Sequence, residues 1–218
     1  MANALPGQFV QVRCEATLLR RPLSLYQVEG GRVSLLYRVR GSGTEWLSHL
    51  KEGDVLDVLG PLGKPFEPPS EGERLLLVGG GIGIAPLACF AARYPVASAI
   101  AAFRSGSGAI GLAPFHEASI PLSIHTDDAS LGEPRPLIEI IQEQIAGIDR
   151  VLACGPEGMM KEISEVARLH GVRCEVSLER KMACGTGLCL GCVVPLQNGY
   201  ARACKDGPVF DAEEVLWM

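Results

Sequence analysis

The sequence has no apolar run approaching the ~18 residues that a membrane-spanning helix needs, so a helical membrane anchor is not expected. It also lacks an excess of positive charge. Twenty Lys and Arg against 25 Asp and Glu leave a net charge of −5 and a pI near 5.4. A nucleic-acid-binding face would be basic, and none is expected. The first residues, MANALPGQFV, carry neither the basic flank nor the long apolar stretch of a secretory signal, and a cytoplasmic protein is expected. Histidine is scarce: His49, His116, His125 and His170 are the four present, and none pairs with a cysteine or carboxylate at ligand spacing. All four read as structural. No internal repeat is evident, which excludes a solenoid.

Cysteine, by contrast, is plentiful, at eight residues. In a short secreted chain that number would suggest disulfides, but neither condition applies here. Cys14, Cys89, Cys154 and Cys174 are scattered, as inert packing residues usually are. Cys184, Cys189, Cys192 and Cys204 are gathered near the end, as metal ligands usually are.

With 47% hydrophobic residues, the 218-residue chain can fill more than one core. The expected fold class is α+β and multidomain, in three regions. Residues 1–70 carry short runs rich in Val, Leu and Tyr at 8–13, 33–40 and 54–59, broken by Gly and Pro, and predict an antiparallel β-barrel. A helix is predicted over 44–50 with Thr44 as its N-cap. Residues 64–72 contain three prolines and read as a linker. Residues 71–178 alternate buried-type strands (74–79, 96–103, 122–125, 151–154, 173–177) with helices (84–93, 136–146, 157–170). That rhythm predicts a doubly wound α/β nucleotide domain. Residues 179–218 form a small cysteine-rich subdomain. It holds one hairpin, 192–196 with 200–203, turned at Asn198-Gly199, a pair suited to a type I′ turn.

The strongest chemical signal is Cys184-Gly-Thr-Gly-Leu-Cys189-Leu-Gly-Cys192 followed by Cys204. The spacing C-x4-C-x2-C…C is that of plant-type [2Fe–2S] sites, in which each iron takes two protein sulfurs. The glycines let the loop wrap closely around sulfur and free its N–H groups to donate. The rival, a structural zinc site, usually comes as two CxxC knuckles, and only one exists here. A second signal is Leu75-Leu-Leu-Val-Gly79-Gly-Gly-Ile-Gly83, a buried strand running into a glycine turn and a helix, which suits a pyrophosphate at Gly80, Gly81 and Gly83. Cys154-Gly155-Pro156 ends a later strand in the same way. Cys154 reads either as a neighbour of the nicotinamide or as a packing residue. Taken singly, Arg21-Pro22-Leu23-Ser24, Leu36-Tyr37-Arg38 and Gly43-Thr44 are weak signals for phosphate and ring contacts.

In this order the motifs resemble the ferredoxin-reductase superfamily, and within it the electron-transfer subunits of type B (NAD-dependent) dihydroorotate dehydrogenase. The resemblance covers nearly the whole chain, from Pro6-Gly7-Gln8-Phe9 through Gly60-Pro-Leu-Gly63 and Thr126-Asp127-Asp128 to the four cysteines. It implies a flavin barrel that is short at its N-terminus, since five residues precede Pro6. It implies FAD on Arg21, Pro22, Leu23, Ser24, Leu36, Tyr37, Arg38, Gly43 and Thr44. It implies NAD(H) on Gly80, Gly81, Gly83, Cys154, Gly155 and Pro156, although Phe103-Arg104-Ser105 offers an arginine that equally suits a 2′-phosphate. The [2Fe–2S] cluster falls to Cys184, Cys189, Cys192 and Cys204. The implied partner is an FMN-containing catalytic subunit that oxidises dihydroorotate to orotate, with two copies of each chain. Related flavin/[2Fe–2S] subunits of a sulfide dehydrogenase or an NAD(P)H–ferredoxin transhydrogenase share every motif. A free-standing reductase with a diffusible acceptor and a cofactor-free scaffold are further alternatives.

Overall fold

The computed structural model describes residues 3–132 and 135–217. Its first unit is a four-stranded antiparallel sheet in the order β3-β2-β1-β4, built from β1 (Phe9–Val12), β2 (Arg21–Glu29), β3 (Arg32–Leu35) and β4 (Val58–Leu62). All four residues of β1 are buried, so this strand is covered on both faces. Three boundaries differ from the sequence reading. The run predicted over 33–40 leaves the sheet after Leu35. The run predicted over 54–59 pairs further along, at 58–62, where β4 shifts register against β1 between Leu59 and Leu62. Strand β2, the longest in the sheet, lies outside the three predicted runs, and Pro22 stands near its start. Proline is tolerated at the beginning of a strand.

Helix α1 (Ser42–Ser48) starts earlier than predicted, with Gly41 as N-cap. Thr44 stands in the first turn, where its Oγ1 accepts from the backbone N–H groups of Arg40 (2.9 Å) and Gly41 (3.3 Å). The hydroxyl therefore caps from inside the helix, doing from the third position what an N-cap side chain does from outside.

The second unit is a six-stranded sheet in the order β12-β9-β8-β5-β6-β7. Strands β5 (Leu75–Gly80), β6 (Ser98–Phe103), β7 (Leu122–Thr126), β8 (Arg150–Cys154) and β9 (Arg173–Ser177) are parallel. Helices α2 (Ile84–Ala91), α3 (Ala113–Glu117), α4 (Leu137–Gln144) and α5 (Glu157–Leu169) lie between them. Helix α5 shows why such segments pack: Met160, Ile163, Val166 and Ala167 recur at helical spacing and are buried, and the other face is polar. Separate clusters of buried residues cover the sheet, one containing Ile100, Ile141 and Ile163, the other Leu77, Leu87 and Phe115. Strand order reverses at β5, so the turns after β5 and β8 open into one crevice at the carboxyl ends of the strands, the usual ligand position in such sheets.

The C-terminal segment contributes the hairpin β10 (Val193–Leu196) and β11 (Gly199–Arg202). Leu196 pairs with Gly199, so the loop residues are Gln197 and Asn198, and of the expected Asn-Gly pair only Gly199 has positive φ (120°). The hairpin therefore turns one residue earlier than predicted, and not as a type I′ turn, because neither Gln197 nor Asn198 has positive φ. Strand β12 (Val209–Asp211) was not foreseen. It pairs antiparallel with β9 and closes that edge of the nucleotide sheet. Cys192, Val194, Cys204 and Phe210 share a core with the sheet residues Val151 and Val176. The cysteine-rich segment is thus packed onto the α/β unit.

Residues 65–74 contain no strand or helix, yet they are firmly tied. Arg150, buried at the start of β8, donates to Glu175 (2.6 Å), to Glu73 (3.0 Å) and to the Pro68 carbonyl (3.3 Å). Arg173 holds Glu67 (2.6 Å) and reaches Asp211 of β12 (3.4 Å). One ionic network therefore fastens both this connection and the C-terminal strand to the sheet.

Candidate electron-transfer site

Of the four clustered cysteines, the β10–β11 hairpin brings Cys192 and Cys204 together. The register sets Val193 against Arg202, and Ala203 N–H donates to the Cys192 carbonyl (3.0 Å). Cys204, twelve residues from Cys192 in sequence, then lies beside it and donates its own N–H to the Cys192 sulfur (3.4 Å). In the preceding loop, N–H groups of Thr186 (3.4 Å) and Cys189 (3.5 Å) donate to Cys184 Sγ, and Gly191 N–H donates to Cys189 Sγ (3.4 Å). The result is two thiol pairs, Cys184 with Cys189 and Cys192 with Cys204. Arg202 fixes the frame, forking onto Asp206 (2.7 and 3.0 Å) and donating to the Gly187 carbonyl (3.2 Å).

The chemistry of these sulfurs follows from their donors. Backbone N–H groups of Thr186 and Cys189 push the Cys184 thiol down to about 5, so it is a thiolate at neutral pH. Burial, followed by the neighbouring Cys192, pushes the Cys204 thiol up to about 12. Among the described residues, no group of three or more His, Cys, Asp or Glu converges as a single-ion site would require. Two pairs of sulfurs, with N–H groups already aimed at them, fit a binuclear iron–sulfur group that takes two thiolates at each iron. Leu188 and Leu190 flank Cys189 and are 84% and 62% exposed. Leu190 also adopts φ of 58°, a strained conformation for a branched side chain.

The residues predicted to hold a flavin lie along β2, the segment after β3 and the first turn of α1. A methyl group on Gly43 would stand 2.7 Å from Arg21 Nε, so the arginine is packed directly onto that turn. Among the described residues, its guanidinium donates only to backbone carbonyls, Leu19 (3.1 Å) and Arg20 (3.4 Å). Arg38 makes no hydrogen bond or ion pair among the described residues, and its Nη2 points towards Gly108, at the turn after β6. Two cations not neutralised by carboxylates fit a diphosphate. Pro22, Leu23 and Ser24 are half-buried on β2, where Ser24 pairs with Phe9. Leu36, with Tyr26, packs against Gly111 beyond β6, which brings the flavin segment to the nucleotide crevice. Tyr37 instead packs into the core of the antiparallel sheet.

In the nucleotide turns the glycines have more than one role. A methyl group on Gly83 would lie 2.4 Å from the Cys154 carbonyl oxygen, and one on Gly80 would strike Met159 and Pro156. These two glycines, with Gly155, let the turns after β5 and β8 pack against each other. Gly81 alone of the predicted set combines positive φ (55°) with open space around it, so it is the position a ligand can approach. Burial pushes the Cys154 thiol up to about 12, opposed by a hydrogen bond from Ser177, so it stays protonated at neutral pH.

One residue of the site was not singled out from sequence. Gln11, on β1, is fully buried, and neither its Nε2 nor its Oε1 has a partner among the described residues. Its side chain presses on the cysteine loop: a methyl group on Gly185 would lie 2.8 Å from Gln11 Nε2. In sequence, Phe-Val-Gln-Val-Arg alternates like a strand with a solvated face. The only signal was that polar position, and it becomes informative once β1 is seen to be covered on both sides. Of the histidines, His49 and His170 bond carbonyls of their own helices, Glu45 (2.8 Å) and Val166 (2.9 Å), and His125 stands 3.6 Å from Asp127.

Comparisons with known proteins converge. Residues 179–216 match the family model described as the iron–sulfur cluster binding domain of dihydroorotate dehydrogenase B. A protein of Caldanaerobacter subterraneus subsp. tengcongensis, named dihydroorotate dehydrogenase B (NAD(+)), electron transfer subunit, is 41% identical over 217 residues, covering 97% of this chain and 87% of that protein. The protein of that name from Shouchella clausii is 38% identical, covering 97% and 86%. Among solved structures, an NADH-dependent reduced ferredoxin–NADP oxidoreductase, described in connection with flavin-based electron bifurcation, superposes with a TM-score of 0.85 at 35% identity, over 99% of this chain and 80% of that one.

Proposed function

The chain belongs to the family of dihydroorotate dehydrogenase B electron-transfer subunits, and from that premise we propose that it carries electrons between a catalytic partner subunit and NAD(H) through FAD and a [2Fe–2S] cluster. The observation that carries the reading is the pair of thiol pairs, dressed with backbone N–H donors, on a loop pressed against the strand that pairs with the flavin segment. When bound, the flavin exchanges electron pairs with nicotinamide and single electrons with the cluster.

The chain's own residues do the placing. Arg21 and Arg38 bind the diphosphate, and Ser24 donates to or accepts from the ring system. The crevice formed by Gly80, Gly81, Gly83, Gly155 and Pro156 receives the nicotinamide nucleotide, with Cys154 neutral beside it. Cys184, Cys189, Cys192 and Cys204 hold the two irons. No side chain needs to act as a general base. The three functional regions fall at residues 1–70, 71–178 and 179–218. Exposed Leu188 and Leu190 next to Cys189 suit a covered surface, and the partner we infer is an FMN-containing subunit oxidising dihydroorotate to orotate, with two copies of each chain. Among the described residues, no helix is long and apolar enough to cross a membrane. Eight free cysteines suit a reducing cytoplasm.

The test is anaerobic reconstitution with iron and sulfide analysis, flavin quantitation and bleaching by NADH. Two irons, two sulfides and one FAD per chain are expected, and a colourless, iron-free product would overturn the reading. The likeness to the ferredoxin–NADP oxidoreductase favours one second reading, a subunit of an NAD(P)H–ferredoxin transhydrogenase. The complex purified from its source decides between them. Orotate formation with NAD supports the first, and ferredoxin-dependent NADP reduction supports the second.

A further inference from the structure

Gln11 is the outlier in the buried polar inventory. A carboxamide with no surface exposure and no partner on either polar atom is rare in folded proteins, and each instance calls for an explanation. Its place supplies one. The backbone of Gln11 is in register with Pro22, so its strand, β1, runs beside the flavin segment Arg21–Ser24 of β2. Its side chain, on the same sheet face as that of Pro22, reaches the cysteine loop. The amide nitrogen and Cγ are among the atoms that a methyl group on Gly185 would meet, at 2.8 and 2.7 Å. Gly185 follows Cys184 directly and has φ of 70°. Glycine is thus required there for its backbone conformation and again for the approach of Gln11.

Resting on the reading that a [2Fe–2S] cluster occupies the four cysteines, we propose that Gln11 positions and tunes it. The carboxamide Nε2–H donates to the sulfur shell at the Cys184 side of the cluster and raises its reduction potential. Cys184 Sγ already receives two backbone N–H groups. Sulfur in such a cluster becomes more negative on reduction, so each further donor favours the reduced form. Donation from the strand paired with the flavin segment also ties the cluster loop to the sheet that holds the other cofactor.

The experiment compares the reconstituted wild-type chain with Gln11→Met, which keeps the volume and removes the donor, and with Gln11→Glu, which replaces the donor with an acceptor. Iron, sulfide and FAD are quantified first, and the cluster is then titrated potentiometrically under argon. Gln11→Met is expected to load both cofactors at wild-type stoichiometry and to shift the cluster's reduced-to-oxidised ratio at least tenfold towards oxidised, about 59 mV for a one-electron couple. Gln11→Glu is expected to shift further the same way. Potentials within twofold of wild type, expressed as that ratio, overturn the proposal, as does a changed flavin potential with an unchanged cluster potential. A measurement on the unaltered chain guards against poor loading of the variants. With glutamine side chains labelled with ¹⁵N, pulsed EPR of the reduced cluster should detect a coupled side-chain nitrogen, and its absence overturns the proposal. If the wild-type chain itself takes up no iron, it is the functional reading that fails.

Discussion

Two buried joints hold this protein together, and they are built on opposite terms. Where residues 67–73 and strand β12 meet the nucleotide sheet, charge is answered by charge: Arg150 has Glu175, Glu73 and the Pro68 carbonyl, and Arg173 has Glu67 and Asp211. Where the flavin sheet meets the cysteine loop, Gln11 is equally buried and its carboxamide has no partner among the described residues. At the first joint every charge has a counter-charge within the chain, Arg150 Nε facing Glu73 Oε1 at 2.9 Å as an ion pair without hydrogen-bond alignment. A joint that has to take up a cofactor leaves polar atoms unanswered. The contrast separates fastening from function without reference to any relative.

The largest effect expected is at the complete joint. Arg150→Met takes the nearest cation from buried Glu175, which keeps only Arg173 at 3.6 Å, and from half-buried Glu73, and a loss of about 3–5 kcal/mol is expected in urea unfolding. A loss below about 1 kcal/mol would break the comparison, because the network would then be no fastener.

Next comes Gly83→Ala, in which packing alone is altered. The added methyl group meets the Cys154 carbonyl, so the two nucleotide turns must part. About 1–3 kcal/mol of stability is expected to go, together with NADH affinity measured by fluorescence titration. Gly81→Ala at the same turn strains the backbone but meets no neighbour, and it should weaken nucleotide binding with a smaller change in melting temperature.

At the incomplete joint, the cofactor-free chain should barely notice Gln11→Leu. Removing a buried, unpaired amide is neutral or stabilising, by about 1 kcal/mol at most, and a melting curve checks it. A fall like that of Arg150→Met would place Gln11 among the fasteners.

The smallest effect concerns acid. Hydrogen bonding from Arg173 holds the Glu67 carboxyl below its usual value of 4.5. Its contribution is therefore complete above that value and is lost as pH falls through the lower, folded one. Glu67→Gln should flatten the acid side of a melting-temperature profile below about pH 4.5 and change it little at pH 7, since this carboxylate is largely solvated.

Legibility from sequence followed the range of the interactions. The parallel strands announce themselves because each is a short run with an apolar middle, even where Arg150, Arg173 or Glu175 stands on it. The cysteines announce themselves because thiolate ligation imposes spacing. Strand β2 lies outside the predicted runs, and β3 read too long because Leu36 and Tyr37 are apolar for a different reason: one packs at the crevice and the other in the sheet core. The nucleotide glycines were legible as a turn but not as two turns in contact, since nothing local to Gly83 reveals the Cys154 carbonyl. Gln11 could not be read at all until its neighbours were known, because burial belongs to the tertiary structure.

Strand β12 has a consequence for how the chain is made. The outer edge of β9 has no partner until Val209–Asp211 arrives, so a ribosome-bound chain ending at residue 178 presents a bare row of N–H and carbonyl groups. The last few residues are therefore a protective selvedge. A truncation that spares every α/β helix but removes them should favour aggregation over a smaller working domain.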